Sequence, residues 1–155
     1  MFRKLGIAGD HNAFELKKQI IEQSNDIYEW TDYGAYTYNP TDDYTGPVIA
    51  LCEALQRKEI EAGILMCGTG MGVCVLASKF KGVYAGRVFS VDDAADARIH
   101  NNCNCMCFGA GYHGKNVVSV QEALDRIDAF CNTDFDADTR RVRRFKDIQN
   151  VENKQ

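Results

Sequence analysis

Two spacings of apolar residues alternate along this chain. Leu5 to Gly9, Ile27 to Thr31, Ala62 to Met66, Val83 to Val88 and Met106 to Phe108 are short apolar runs of β-strand length. Between them apolar residues recur every three or four positions, as on the inner face of a helix. Ala13, Leu16, Ile20 and Gln23 fall on one side of a first helix, with Lys17, Lys18 and Glu22 elsewhere, and Asp10 or Asn12 as its cap. Val48, Leu51, Cys52 and Leu55 mark a second helix, and Val73 to Ala77, running on to Lys79, a third. Ser90 caps a polar fourth from Val91 to about His100, and Val120, Ala123, Leu124, Ile127 and Cys131 outline a fifth. Tyr33 to Gly46, containing Asn39-Pro40-Thr41-Asp42-Asp43, reads as a surface loop, and Asn132 to Asp138 as a linker. Val142, Phe145 and Ile148 then give an amphipathic tail helix with arginines near its start.

Strands and helices alternating at these intervals predict an α/β domain with a parallel sheet of five strands, covered by helices on both faces. The 155 residues suit one domain spanning the whole chain. Ligands in such sheets sit at the carboxyl ends of the strands, which lines Asp10, His11, Cys67 and the Gly109 loop along one rim.

Composition narrows the function classes. A hydrophobic share of 45% and a charged share of 26% are ordinary for a soluble globular chain. A net charge of −4 and a pI near 5.3 argue against a general nucleic-acid binder. No apolar run reaches membrane-spanning length and the first residues lack a signal-peptide layout, so a cytoplasmic location is expected. Seven cysteines cannot all pair within a monomer, and in a reducing compartment they are expected to be free thiols.

The chemistry concentrates in Cys67-Gly68-Thr69-Gly70-Met71-Gly72, which separates the third strand from the third helix. Alternate glycines let the backbone bend tightly and turn N–H groups toward one point, and the helix start adds its own unpaired donors. This predicts an anion-binding turn with a thiol at its lip, whose pKa the same field lowers toward neutrality. The spacing is G-x-G-x-G, which matches neither the P-loop nor the dinucleotide fingerprint. On spacing alone, Cys67 is equally a strand-end thiol that never reacts.

Taken together, several motifs resemble the type B ribose-5-phosphate isomerases and the related galactose-6-phosphate isomerase subunits. They are Gly9-Asp10-His11, Asp32-Tyr33-Gly34, Asp43-Tyr44, the glycine turn, Arg98-Ile99-His100-Asn101-Asn102, Phe108-Gly109 and the pair Arg140 and Arg144. The resemblance covers nearly the whole chain. It implies a Rossmann-like three-layer α/β/α sandwich with a C-terminal extension helix. It also implies a homodimer or dimer of dimers whose active sites draw on two subunits, with residues 131–155 packing on the partner. The implied activity is aldose–ketose isomerisation of a sugar phosphate through an enediolate, without metal or organic cofactor.

Residue by residue, the resemblance implies that Cys67 is the base moving a proton between C2 and C1. Relatives without this cysteine use a glutamate at the position held here by Val73, in keeping with Cys67 holding the role. Thr69 and the N–H groups of Gly68, Gly70, Met71 and Gly72 would hold the enediolate oxygen, and a thiol of near-neutral pKa suits the transfer. His100 is the implied ring-opening acid/base and Asn101 its neighbour on substrate. Asp10 binds sugar hydroxyls, Tyr44 lines the substrate site, and His11, Arg140 and Arg144 hold phosphate. The two arginines lie one helical turn apart, a spacing suited to gripping a dianion in fork geometry. Arg141, Arg143 and Lys146 are expected to be a solvated basic patch.

Three positions depart from the family pattern: Thr45 in place of a proline, Ser78 in place of an asparagine, and Gly111 where many members carry a phosphate-binding arginine. Cys103-x-Cys105-x-Cys107 is expected to put three thiols on one face of a strand, but it lacks the spacing of structural zinc sites. Ribose 5-phosphate and ribulose 5-phosphate are the favoured pair. A hexose 6-phosphate of the allose or galactose type is the alternative substrate, and a non-catalytic anion-binding module the alternative class.

Overall fold

The computed structural model describes residues 1–115 and 117–154. The elements follow in the order β1 (Lys4–Gly9), α1 (Phe14–Ser24), β2 (Glu29–Asp32), α2 (Thr45–Gln56), β3 (Ala62–Cys67), α3 (Met71–Ala77), β4 (Ala85–Arg87), α4 (Val91–Asn101), β5 (Cys105–Gly109), α5 (Val120–Asn132) and α6 (Thr139–Glu152). All strand pairings are parallel, in the order β2-β1-β3-β5-β4. The α/β layering expected from the apolar spacing is therefore borne out.

From β1 the chain moves outward to β2 and then returns to place β3 on the other side. The strand order reverses between β1 and β3, and the crevice outside their carboxyl ends is where such sheets take ligands. Gly9 pairs with Met66, and Cys67 with Gly109, so the three central strands end level with one another.

Period-two alternation sorts the core into two clusters. Leu5, Ile7, Ile64, Met66, Met106 and Phe108 pack with α1, α4 and α5. Ala8, Leu65, Cys67, Cys105 and Cys107 pack with α2 and α3. Burying each large aliphatic or aromatic side chain in these layers stabilises the fold by about 1.5–3 kcal/mol.

Cys103 does not join the other two thiols of its motif. It precedes β5 and lies in the opposite cluster, its Sγ within 3.2 Å of where a side chain on Gly86 would begin. Strand alternation governs only residues inside the strand, and β5 starts at Cys105.

Several boundaries and faces also differ from the sequence expectations. Ser24, not Gln23, is the buried residue at the end of α1, and β2 begins at Glu29 because the N–H groups of Ile27 and Tyr28 are taken by the Ser24 carbonyl in the turn after α1. β4 is confined to Ala85–Arg87, although Val83 and Val88 beyond it are buried. Thr45 and Gly46 belong to the first turn of α2, whose Pro47 loses nothing there because first-turn N–H groups have no helical acceptor. Neither Asp10 nor Asn12 caps α1. The N-cap is Ala13, and the Asp10 carboxylate instead accepts from the Asn12 N–H at 3.0 Å. Ser90 caps α4 as expected, accepting from the Asp93 N–H at 3.0 Å.

Lys17, which the apolar spacing places off the inner side of α1, is only 2% exposed. Its ammonium donates to Asp32 at 2.5 Å and to the Ala35 carbonyl at 2.7 Å, a pairing that offsets the cost of burying the charge. This ties down the loop that continues the sheet past β1, where Gly9 N–H donates to Gly34 and Ala35 N–H to Gly9.

The tail helix α6 packs back on its own chain. Phe145 meets Tyr84 edge-on at 4.7 Å, and Glu152 accepts from the Gly82 N–H and the Tyr84 hydroxyl. That contact uses the stripe Arg141, Phe145 and Gln149, leaving Arg140, Arg144, Ile148 and Val151 exposed.

Candidate active site at two edges of the sheet

The carboxyl edge carries the glycine turn. Gly70 has φ +74°, and a side chain there would begin 2.5 Å from the Phe108 backbone, so both conformation and space require glycine. At Gly72 a side chain would begin 2.5 Å from the Tyr44 hydroxyl; the phenol of Tyr44 therefore lies directly on the start of α3. Cys67 Sγ is nearly buried and accepts from the Gly70 N–H at 3.2 Å. The Met71 N–H goes to Thr69 Oγ1 at 3.2 Å. Two of the expected enediolate donors are thus engaged inside the turn, one of them on the sulfur itself. Gly72 and Val73, in the first turn of α3, receive no acceptor from the helix. Since α3 has only seven residues, the local field comes from these N–H groups more than from a summed helix dipole.

Beside the turn, Asp10 follows directly on β1 and is 7% exposed. His11 Nδ1 lies 2.7 Å from Asp42, whose carboxylate also accepts the His11 backbone N–H at 2.9 Å. Asp42 was not singled out from the sequence. Its partner lies 31 positions away, and only the loop's path brings the two together.

The hairpin after β5 covers the turn from the other side. Ala110 N–H donates to Cys67 and Gly111 N–H to Gly68, after which Tyr112 and Lys115 pair across a tight turn. Tyr112 rests against Gly68. The position where the family resemblance expects an arginine is therefore a bare glycine at φ +121°, leading into this cover.

His100, Asn101, Arg140 and Arg144 are elsewhere. α4 runs antiparallel to the strands, so its last turn lies at their amino ends, where Asn104 bonds to Gly63 and Tyr84 just beyond. Eleven residues of α4 at about 1.5 Å each separate that turn from the carboxyl edge. Within one chain, Cys67 and His100 stand at opposite edges of the sheet.

At this second edge His100 is exposed, and its Nδ1 accepts from Arg141 Nε at 2.9 Å. The ring proton therefore sits on Nε2, which faces Asp96 at 3.4 Å. Arg141 also donates to Asp136 and, at 2.7 Å, to Asp138. It is the arginine that orients His100, contrary to its assignment to a solvated patch. Arg140 and Arg144 share the neighbouring exposed face.

The thiols differ sharply in acidity. A hydrogen bond from Cys107 brings Cys74 down to about 7, against the upward pull of burial and with help from Arg87 and Ser78. Burial pushes Cys103 and Cys131 up to about 12, and raises Cys52 and the enclosed Cys107 as well. A lowered pKa means that the thiolate is present above that pH and lost below it. Iodoacetamide labelling resolved by peptide mass spectrometry is expected to modify Cys74 ahead of Cys52, Cys103 and Cys131, with its half-maximal rate near pH 7. A midpoint at the ordinary thiol value of about 8.5 would contradict this assignment.

Among the described residues no group of three or more His, Cys, Asp or Glu is arranged to hold a metal ion, and no helix is long and apolar enough to cross a membrane.

Residues 5–148 match the family described as ribose/galactose isomerase. The chain belongs to the ribose/galactose isomerase family. It is 35% identical over 142 residues to a ribose-5-phosphate isomerase B of Mycolicibacterium paratuberculosis, covering 90% of this chain and 85% of that one. It is also 26% identical over 151 residues to a D-erythrulose-4-phosphate isomerase 2 of Mycolicibacterium smegmatis, covering 96% of each. The structure of ribose-5-phosphate isomerase B from Mycoplasma genitalium with bound ribulose-5-phosphate superposes with a TM-score of 0.87, at 33% identity and 97% coverage of each chain. Membership in the ribose/galactose isomerase family bears out the resemblance drawn from the motifs, along the length those motifs span.

Proposed function

We propose that this chain is an aldose–ketose isomerase interconverting ribose 5-phosphate and ribulose 5-phosphate. The observation that carries this reading is the full-length likeness to a relative holding ribulose-5-phosphate. The reaction needs a base that removes a proton beside a carbonyl, donors for the enediolate oxygen, and a group that opens the sugar ring. The chain's own residues supply each, so no cofactor enters the scheme.

Cys67 takes the proton from C2 and returns it to C1. Its sulfur already accepts one N–H from the turn. Gly72, Val73 and Thr69 face the oxygen. Tyr44 and Asp10 receive the sugar hydroxyls, while His11, steadied by Asp42 at Nδ1, exchanges Asn12 for a phosphate oxygen at Nε2. His100 opens the ring, and Asn101 holds the substrate beside it.

The working unit in this reading is a homodimer. Each site joins the carboxyl edge of one subunit to the His100 edge of its partner. Three features support it. Cys67 and His100 cannot meet within one chain, and Arg140 and Arg144 share an exposed stripe with Ile148 and Val151. A groove of about 750 Å³ also runs along the open edge of β4, with Arg87 and Asn101 among its lining residues. A partner lying antiparallel along that edge brings its second edge to this subunit's first. The tail arginines then close on phosphate from across the interface.

Assays with ribose 5-phosphate, allose 6-phosphate and galactose 6-phosphate test the substrate. The expected result is a kcat/KM for ribose 5-phosphate higher by about 10- to 200-fold, the discrimination one extra carbon allows. A preference for either hexose would replace the pentose assignment. The absence of turnover with all three would leave the anion-binding module.

A further inference from the structure

We propose that Arg87 is a positioning residue for the proton transfer at Cys67: it grips the Thr69–Gly70 peptide so that the Gly70 N–H is held on the sulfur. The proposal rests on the reading of Cys67 as the base. Arg87 ends β4 on the sheet face that carries Cys105 and Cys107, the face covered by α3. Its Nε and Nη2 both donate to the Thr69 carbonyl oxygen, at 2.9 and 2.6 Å. The guanidinium lies over the Phe89 ring, 3.8 Å from its centroid, which fixes the plane of the fork. Phe89 is in turn held by its N–H bond to Asp93 at 2.9 Å.

A trans peptide is planar, and its C=O and N–H point in opposite directions. Drawing the Thr69 oxygen toward Arg87 therefore turns the Gly70 N–H away from Arg87. That N–H is the one found 3.2 Å from Cys67 Sγ. A glycine turn is otherwise free to flip this peptide, since the two common turn types differ by such a rotation. The flipped form would present a carbonyl oxygen to the sulfur and repel a thiolate. A cation on the far oxygen opposes the flip. It also polarises the peptide and strengthens its N–H as a donor.

Arg87 thus acts through one peptide bond and need not touch the sugar. Nothing in the local sequence announces this role: a lone arginine at a strand end reads as a surface charge. The pairing appears only when β4 is laid beside β5 and the glycine turn reaches across.

The test compares Arg87→Met, which keeps the stem and loses the donors, with Arg87→Lys, which keeps the charge and one donor direction. Arg87→Met is expected to lower kcat about 10- to 100-fold with KM within about 3-fold, as for a misaimed oxyanion-type donor. Arg87→Lys should recover most of that loss. In 1H–15N spectra of the folded protein, the Gly70 amide proton should move upfield in Arg87→Met and less in Arg87→Lys. Should Arg87→Met fail to fold, Arg87→Gln carries the same comparison.

Unchanged kcat in the donor-lacking variant would overturn the proposal, as would a rise in KM alone, which marks a residue that binds substrate. Equal losses in both variants with an unmoved Gly70 resonance would also overturn it. Cys67→Ser separates this inference from the reading beneath it. If that variant keeps turning over, the base assignment is wrong. If it is dead while Arg87→Met runs at the wild-type rate, only the role of Arg87 fails.

Discussion

Cys67→Ala is expected to lower kcat by roughly 10³- to 10⁴-fold while sugar phosphate remains bound within a few-fold of its original affinity, the upper range for removing a general base. The size of the effect follows from what surrounds the position. Val73 offers no carboxylate. Cys74, whose thiol is brought down to about 7, bonds toward Cys107 and the Ala85 carbonyl instead of the turn. Neither Val73 nor Cys74 can take over the transfer. Cys67→Ser should be almost as inactive, because a hydroxyl of the same reach ionises far above working pH. Steady-state kinetics paired with calorimetric titration of a non-reacting sugar phosphate separates turnover from binding. Substantial kcat in the alanine variant would remove Cys67 from the mechanism.

The second large effect is expected at His100. A five-carbon aldose 5-phosphate is mostly a closed ring, and proton abstraction must wait for it to open. His100→Ala should therefore reduce turnover of ribose 5-phosphate by about 100-fold, the lower range for a general acid–base group. D-Erythrose 4-phosphate supplies the contrast, since its O4 carries phosphate and cannot close a five-membered ring. On it the His100→Ala loss should shrink to a few-fold. An equal loss on both sugars would move His100 from ring opening into the proton transfer.

How far the sequence alone reaches can be seen residue by residue. The glycine turn was legible because Gly70 and Gly72 answer to backbone geometry and close approach, which spacing reveals. Ser90 was legible because a cap is decided within one turn of helix. The sheet followed from the alternation of apolar runs. What escaped depends on partners distant in the chain. Lys17 is buried because Asp32 and the Ala35 carbonyl wait for it, and His11 is held by a carboxylate that arrives with a loop. On α6 the hydrophobic spacing located the helix but left open which face it turns to the body. That phase decides that Arg141 reaches His100 while Arg140 and Arg144 look outward. Cys103 was misplaced for a related reason, as the period of a strand does not extend into the loop before it.

The separation of Cys67 from His100 has a physical origin in the same fold. A helix that follows a parallel strand must run back along the sheet, so residues at its end lie far from the strand ends that gather the ligand. A histidine placed there serves a cleft only if another copy of the chain comes alongside. The exposed apolar residues on α6 and the open edge of β4 are consistent with that arrangement in both location and chemistry.

Mixing two disabled variants tests this most directly. Cys67→Ala and His100→Ala, each nearly inactive alone, are combined, dissociated and allowed to reassociate. Random pairing makes half the dimers mixed, and each mixed dimer regains one intact site, so about a quarter of wild-type activity per site should return. If mass-tagged subunits are seen to exchange and the mixture stays as inactive as its parts, the cysteine and the histidine do not serve one site across an interface.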